Sequence, residues 1–500
     1  MTFSVKTLTL GSLMSVLFLS TNTSAGILDL IDSFSSELEK DSAQAVWQTY
    51  NDLIDNAGCS DNMLVDPGLN ASNGQPVTCT GKTFQLFNNV RHLIHTANEI
   101  SNDSIGGTAF SLGLDQKGLG LALRWNAAEE YNAQASLSSD FLQGQLSGLS
   151  TRVTALRLGA RANSLGGINP LDVYQGYANN NSLTGGAAGA DDDAYSRWGG
   201  FVNYTDGSGK KGATPLEDAF DVEGKDISFG GDYRFNSEWI AGIIIGVTDQ
   251  EIDFDSAKST VEGGVTSEGI SYMPFVLYQH KSFFASAAFA YQTLSFDTLR
   301  SIRYPSLNPD VASPQTQTKS NTDATTTSFS SELGYNFAAN AFSLEPYLKL
   351  NYATTDVDAF VERDLNDKAF DLAVAKQSFD SLESSIGIRL RYTFTPSFGV
   401  ITPFVGIQSI NQSNTDARTL SARYANSATN ADAFQLSSDV IDDQYTITSY
   451  GIASVVRGGR QTSGDGAISG GVQIFIQYKE ITSLDNYEYS AITAGMRYEF

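Results

Sequence analysis

Histidine and cysteine are nearly absent from this chain: three His and two Cys in 500 residues. His92 and His95 sit three apart on an expected helix but lack the His-Glu-x-x-His form, so they read as ordinary helix surface. Charge is scarce and one-sided. Only 17% of residues are charged, and 56 Asp and Glu against 31 Lys and Arg leave a net charge of −25. That balance argues against a nucleic-acid partner, because phosphate binding needs Lys and Arg to replace counterions. Beyond the first 25 residues there is no run of 18 apolar residues, so no transmembrane helix is expected. An exported soluble protein would satisfy that. So would a membrane β-barrel, whose signal is alternation and not bulk hydropathy. What is plentiful points to sheet: 29 Phe, 22 Tyr and 45 Gly.

Residues 1–25 stand apart. Lys6 gives a positive start, Leu8 to Leu19 an apolar run, and Thr23-Ser24-Ala25 small residues before a cut at Gly26. This is the pattern of a secretory signal peptide, too short to span a bilayer. Export makes the cysteines interpretable. Cys59 and Cys79 are expected to pair in an oxidising compartment.

Periodicity divides the rest. From 26 to 140 it is mainly helical: Leu28, Ile31, Phe34 and Leu38 form one stripe, and Phe84, Phe87, Val90, Leu93 and Ile94 another. This reads as a small helical unit with one disulfide. From 141 to 168, Leu142, Leu146, Leu149, Val153, Leu156 and Ala160 keep a helical stripe. This stretch has no Asp or Glu but carries Arg152, Arg157 and Arg161. A basic helix in so acidic a chain is expected to face carboxylates, and Glu345 and Glu383 are candidates. Residues 169–194, with Asn179-Asn180-Asn181 and Asp191-Asp192-Asp193, read as a linker.

From 195 to 500 the period is two. Phe342, Leu344, Pro346, Leu348, Leu350 and Tyr352 alternate with Ser343, Glu345, Tyr347, Lys349 and Asn351. Twelve such segments start near residues 196, 224, 238, 266, 282, 322, 341, 380, 398, 444, 466 and 486. Tight turns at Asn236-Ser237, Lys281 and Pro396 alternate with long polar connections. An even strand count, short turns on one rim and long loops on the other are the arrangement of an outer-membrane β-barrel. The last segment puts Ile492, Ala494, Met496, Tyr498 and Phe500 on one face and Thr493, Gly495, Arg497 and Glu499 on the other. It is expected to close the ring against the segment at Trp198, since an open edge in lipid leaves backbone groups unpaired.

With these stretches in view the layout resembles the autotransporters, the type V secretion family of Gram-negative bacteria. Arg152-Val153-Thr154-Ala155-Leu156-Arg157-Leu158-Gly159-Ala160-Arg161 resembles the family's pore helix. Trp198-Gly199-Gly200-Phe201-Val202-Asn203-Tyr204 and Gly224-Lys225-Asp226-Ile227-Ser228-Phe229-Gly230-Gly231-Asp232-Tyr233-Arg234-Phe235 resemble its first two strands. Gly495, Tyr498 and Phe500 match the C-terminal signal read by the barrel-assembly machinery. The resemblance covers about 141–500. It implies a twelve-stranded antiparallel barrel with a helix in its lumen, export through the Sec translocon, insertion into outer-membrane lipid as a monomer, and a passenger, residues 26–140, at the cell surface. Family passengers are usually long repetitive β-helices; this one is short and shows no repeat. A porin-like channel with a periplasmic N-terminal domain is the alternative.

No catalytic centre emerges. The passenger has no Gly-x-Ser-x-Gly elbow. Gly207-Ser208-Gly209-Lys210-Lys211-Gly212 lies between two strands and not before a helix, so it reads as a hairpin loop, not a phosphate loop. Asp191-Asp192-Asp193 lacks the spaced ligands of a calcium loop. No metal, cofactor or enzymatic activity is expected, and no residue names a ligand for the passenger.

Overall fold

The computed structural model describes residues 26–67, 78–103, 106–162, 197–254, 261–396, 399–413, 417–430, 433–440, 442–457, 460–461, 468–469 and 471–500. The segments expected as signal peptide (1–25) and linker (169–194), and the last part of the expected pore helix (163–168), lie outside these residues.

Twelve strands form a closed ring. They are β1 (Trp198–Lys211), β2 (Phe220–Arg234), β3 (Trp239–Phe254), β4 (Gly263–His280), β5 (Phe283–Arg303) and β6 (Gln315–Tyr335), then β7 (Phe342–Val357), β8 (Gln377–Tyr392), β9 (Val400–Ser413), β10 (Gln444–Arg457), β11 (Val472–Thr482) and β12 (Tyr487–Glu499). Each pairs antiparallel with the next. β12 returns to β1 in the register Gly199↔Glu499 to Lys211↔Tyr487, and the Phe500 N–H donates to the Trp198 carbonyl at 3.1 Å. No strand edge of the ring is left open, as lipid requires.

The alternation read from sequence is the in–out alternation of the wall. Leu344, Leu348, Leu350 and Tyr352 are exposed on the outside, while Glu345, Tyr347 and Asn351 are buried inside. Near the rim where β1 begins and β12 ends, outward aromatics gather. Trp198 lies against Tyr233 (ring centroids 4.7 Å), Trp239 against Tyr278 (4.8 Å) and Tyr498 against Phe500 (5.0 Å). Aromatic belts of this kind mark a membrane interface. No described helix is long and apolar enough to cross a membrane.

At the opposite rim the strands outrun the expected loops. Of the long polar connection that the sequence suggests near 300–320, about half is ladder: β5 reaches Arg303 and β6 begins at Gln315. The outward face turns polar there (Gln315, Gln317, Lys319, Asn321) while Thr316, Thr318, Ser320 and Thr322 stay buried inside. The apolar-outside signal disappears above the lipid, but the hydrogen-bond ladder continues. Four short strands, Phe360–Val361, Leu372–Val374, Thr419–Tyr424 and Phe434–Ser437, form a separate small sheet in the long connections.

On this rim sits the helical domain: α1 (Gly26–Asp29), α2 (Glu37–Ala57), α3 (Gly81–Ser101) and α4 (Gln116–Arg124). The stripe expected over 28–38 is not one helix. Ser36 caps α2 by accepting the Glu39 N–H, and the Glu39 carboxylate accepts from the Ser35 N–H at 2.8 Å, so the helix starts after Ser36. Ile27, Phe34 and Leu38 are the buried apolar residues there, and Leu28 and Ile31 are half-buried. The second stripe holds: Phe84, Phe87, Val90, Leu93 and Ile94 are all buried on α3, and Tyr50 of α2 stacks on Phe87 at 5.6 Å. α2 ends at Gly58, whose φ of +69° carries the chain into Cys59. Cys59 and Cys79 form a disulfide.

That bond closes a loop with a sequence separation of 20, for which the loop-entropy model gives roughly 3 kcal/mol. Cys59→Ala with Cys79→Ala should therefore lower the unfolding temperature of the helical domain and leave the heat-modifiable barrel unchanged on electrophoresis.

Candidate functional site: a helix-filled lumen beneath a docked domain

One helix, α5 (Ala133–Ala162), fills the barrel. The stripe expected from 141 lies inside this longer helix of 30 residues, about 45 Å at 1.5 Å per residue. It enters at the long-loop rim and runs toward the rim where β1 begins, and its two faces meet two different walls. Leu142, Leu146, Leu149, Val153 and Leu156 share a buried apolar cluster with Ile240 and Ile244 of β3, Met273, Phe275 and Leu277 of β4, and Phe284, Ala288 and Ala290 of β5. Here the inward positions, which are polar in a water-filled barrel, are apolar, and they match the helix stripe. Gly246 of β3 makes room for the helix at one point: a Cβ there would lie 2.1 Å from the Gln145 side chain.

The polar face of α5 meets β6, β8 and β11, with Ser150 donating to Glu332 of β6 at 3.4 Å. Gln143 donates to both oxygens of Glu383 at 2.7 Å, and Thr151 donates to Gln477 at 3.2 Å. Arg389 donates to Ser150 at 2.7 Å and to Glu332 and Glu345 at 2.9 Å, with its guanidinium 3.9 Å from the Tyr347 ring centre. Arg391 also donates to Glu345 at 2.9 Å.

Arg152 lies on α5 inside the barrel, buried, paired with Asp232 of β2 and 4.6 Å from the Phe201 ring centre. Its partner is thus Asp232, not Glu345 or Glu383. Glu345 is held by the wall's own arginines, and Glu383 serves Gln143, Asn351 and Tyr445. Arg497 of β12 reaches the same Asp232 at 3.7 Å and also pairs with Glu499. The side chains of Arg157 and Arg161 lie outside the described residues. Asp232 stood in the quoted second-strand motif at an inward parity position. Parity marked it as luminal, but nothing in sequence ranked it above other inward carboxylates.

At the outer rim a second set of contacts joins the helical domain to the barrel. Arg300 of β5 forms a two-pronged pair with Glu362, at 2.9 and 2.7 Å. Glu362 also accepts from the Tyr131 hydroxyl at 2.6 Å, Thr318 at 2.8 Å and the Leu372 N–H at 2.8 Å. Arg124 of α4 pairs with Asp218 of the β1–β2 connection, whose N–H donates to Glu129 at 2.9 Å. Burial raises the Glu129 carboxyl well above the usual range, helped by the nearby Asp218. The apolar core is continuous across this junction. Leu38, Phe87, Leu119 and Leu123 of the helices belong to one buried cluster with Phe220, Phe296, Phe370, Leu420 and Phe434 of the strands and connections.

His95 is buried, and its Nδ1 accepts the Phe110 N–H at 3.1 Å. Burial, with Arg91 beside it, holds the His92 imidazole down at about 4. Lys211 pairs with Glu217 at 2.6 Å and Asp439 at 2.5 Å, which ties down the Gly-Lys stretch as strand and rim. Asp191-Asp192-Asp193 lies outside the described residues. Gly495 faces inward against Asn203 and Phe475, while Tyr498 and Phe500 face out.

A closed twelve-stranded barrel with outward aromatics and a helix threaded through its lumen defines an outer-membrane translocator type of protein. The autotransporter β-domain family matches residues 200–465, more than half of the chain, and the chain belongs to that family. It is an outer-membrane protein, and its β-domain is not itself catalytic. The esterases EstA of Pseudomonas aeruginosa and of Pseudomonas putida are each 29% identical to it over 206 residues, covering 40% of this chain. The chain spans 29% of the length of either esterase. Among solved structures, the translocator domain of NalP from Neisseria meningitidis is 13% identical with a TM-score of 0.42, covering 68% of this chain and 99% of its own. The β-domain of Bordetella BrkA is 12% identical with a TM-score of 0.40, covering 61% of this chain and 100% of its own.

Removing the Asp232 carboxylate would leave Arg152 buried without its charge partner, a change that typically costs about 3–5 kcal/mol. Asp232→Ala should lower the temperature at which the barrel becomes heat-modified and raise its conductance in planar bilayers as the helix loosens.

Proposed function

We propose that this autotransporter carries its own short helical passenger to the cell surface and keeps it there, docked on the barrel mouth and tethered by α5. The observation that carries this reading is the continuous core between helical domain and long-loop rim. Releasing the domain would expose apolar surface on both sides, at roughly 25 cal/mol per Å². The barrel in this reading is a membrane anchor with a filled lumen. The porin-like reading would need an open water path and a domain on the other rim, where β1 begins.

The passenger in this reading is a display or binding module, not an enzyme. EstA relatives are esterases by name, but the helical domain here has no Gly-x-Ser-x-Gly elbow. Its buried His95 has Nδ1 committed to a backbone N–H, which leaves that nitrogen no role as a base toward a nucleophile.

Protease shaving of intact cells tests the placement. An epitope tag beside Leu64, which is 75% exposed, should be lost on shaving while the barrel persists; full protection of the tag would overturn surface display. We further propose that Gly495, Tyr498 and Phe500 form the signal that the barrel-assembly machinery reads. Phe500→Ala should reduce the amount of heat-modifiable barrel in the outer membrane severalfold, and a normal amount would count against that role.

A further inference from the structure

Where the helical domain meets the barrel, carboxyls outnumber guanidiniums. Glu129, Glu130, Asp218 and Glu362 face Arg124 and Arg300, and all four carboxyl residues are buried. Glu362 is fully satisfied by Arg300, Tyr131, Thr318 and the Leu372 N–H. Asp218 has Arg124 and the Val261 N–H. Glu129 accepts the Asp218 N–H and lies 3.6 Å from the Arg124 Nε. Glu130 is different. It is 1% exposed, and among the described residues neither of its oxygens takes a hydrogen bond from another residue. β4 packs against the turn that carries Glu130, and Val265 and Ser267 on its buried inward face bring no charge. Its own backbone N–H is its one hydrogen-bond donor; a buried carboxylate bonded to no other residue and in no ion pair is costly enough that the group takes up a proton instead.

We propose that this junction is a proton-operated latch: protonated Glu129 and Glu130 let the helical domain seat closed on the barrel mouth, and their ionisation loosens it. The inference rests on the docked arrangement just described, but not on which side of the membrane the mouth faces. Burial pushes the Glu130 carboxyl up to about 7, with Arg300 working against the shift and Glu362 and Asp218 adding to it. The sign follows from linkage. The seated state holds its proton more tightly than an undocked, solvated glutamate of ordinary pKa about 4.3. Docking is therefore strongest below that value, weakens as pH rises toward 7, and levels off above. For Glu130 alone the open-to-closed ratio should grow about a hundredfold between pH 5 and pH 8.

Trp125 reports on the latch, because its ring is buried there and its carbonyl accepts from Arg300 at 3.4 Å. In the full chain in detergent micelles, Trp47→Phe, Trp198→Phe and Trp239→Phe leave Trp125 as the single indole. Acrylamide quenching of its fluorescence should rise at least threefold from pH 5 to pH 8. With Glu129→Gln and Glu130→Gln added, quenching should stay low at both pH values. Flat quenching in the parent, or an undiminished rise in the double variant, overturns the latch. If the double variant lacks a heat-modifiable barrel, Glu130→Gln alone carries the test and must remove most of the rise. A shaving result that places the domain in the periplasm would overturn surface display and leave the quenching outcome untouched.

Discussion

The pairing of β12 with β1 is the constraint on which everything else depends. In hydrocarbon each unpaired backbone group costs several kcal/mol, so the sheet must end where it began. Register Gly199↔Glu499 to Lys211↔Tyr487 does this. Closure at twelve strands has a consequence. Eight strands make an interior that wall side chains can just fill; a wider ring cannot be filled that way. The lumen then holds water or a separate element. Here it holds α5, and the wall has been adapted to it. β3, β4 and β5 present Ile240, Ile244, Met273, Phe275 and Phe284 inward, which would be poor lining for a water channel, and the leucine stripe of the helix covers them.

Filling the lumen with one helix fixes what happens at its ends. The chain that enters the barrel at Ala133 comes directly from Tyr131, whose hydroxyl is bonded to Glu362 on the rim. No slack separates helix from domain, so the domain must sit on the mouth. The long connections supply its seat. Strands of two to six residues such as Phe360–Val361 and Thr419–Tyr424 are too short to persist alone. They exist because they pack into the same core as α2 and α3. Domain and loops stabilise each other, and neither is a finished structure without the other.

The barrel was legible in sequence because lipid imposes period two on every crossing strand. The same rule explains where legibility stops. Above the bilayer the outward face of β6 is Gln315, Gln317, Lys319 and Asn321, and the inward face is Thr and Ser, so alternation vanishes although the ladder does not. Stripe logic succeeded on α3, where Phe84 to Ile94 all turn inward, and failed over 28–38, where the Ser36 cap restarts the helix. Luminal pairing was only half legible. Parity identifies Asp232, Glu345, Glu383, Arg389 and Arg391 as inward, yet the match between Arg152 and Asp232 depends on the rotation and depth of α5, which no local pattern encodes. Glu345 looked as suitable until the neighbouring Arg389 and Arg391 are seen to claim it.

The two ends of the lumen are unlike in charge. At the end where β1 starts, Arg152, Arg234 and Arg497 gather near Asp232 and Glu499, and every one of these groups is strongly basic or paired. At the outer end the excess is of carboxyls, and carboxyls can be neutralised. Glu129 and Glu130 immediately precede α5, whose positive dipole end favours the negative charge only in part. Their burial is compatible with a closed junction when protons make up the balance. The helix is therefore held at its inner half by charge pairing and by leucine packing, and conditionally at its outer end. Any motion the assembly allows must begin at the mouth, with the passenger lifting before the plug can move.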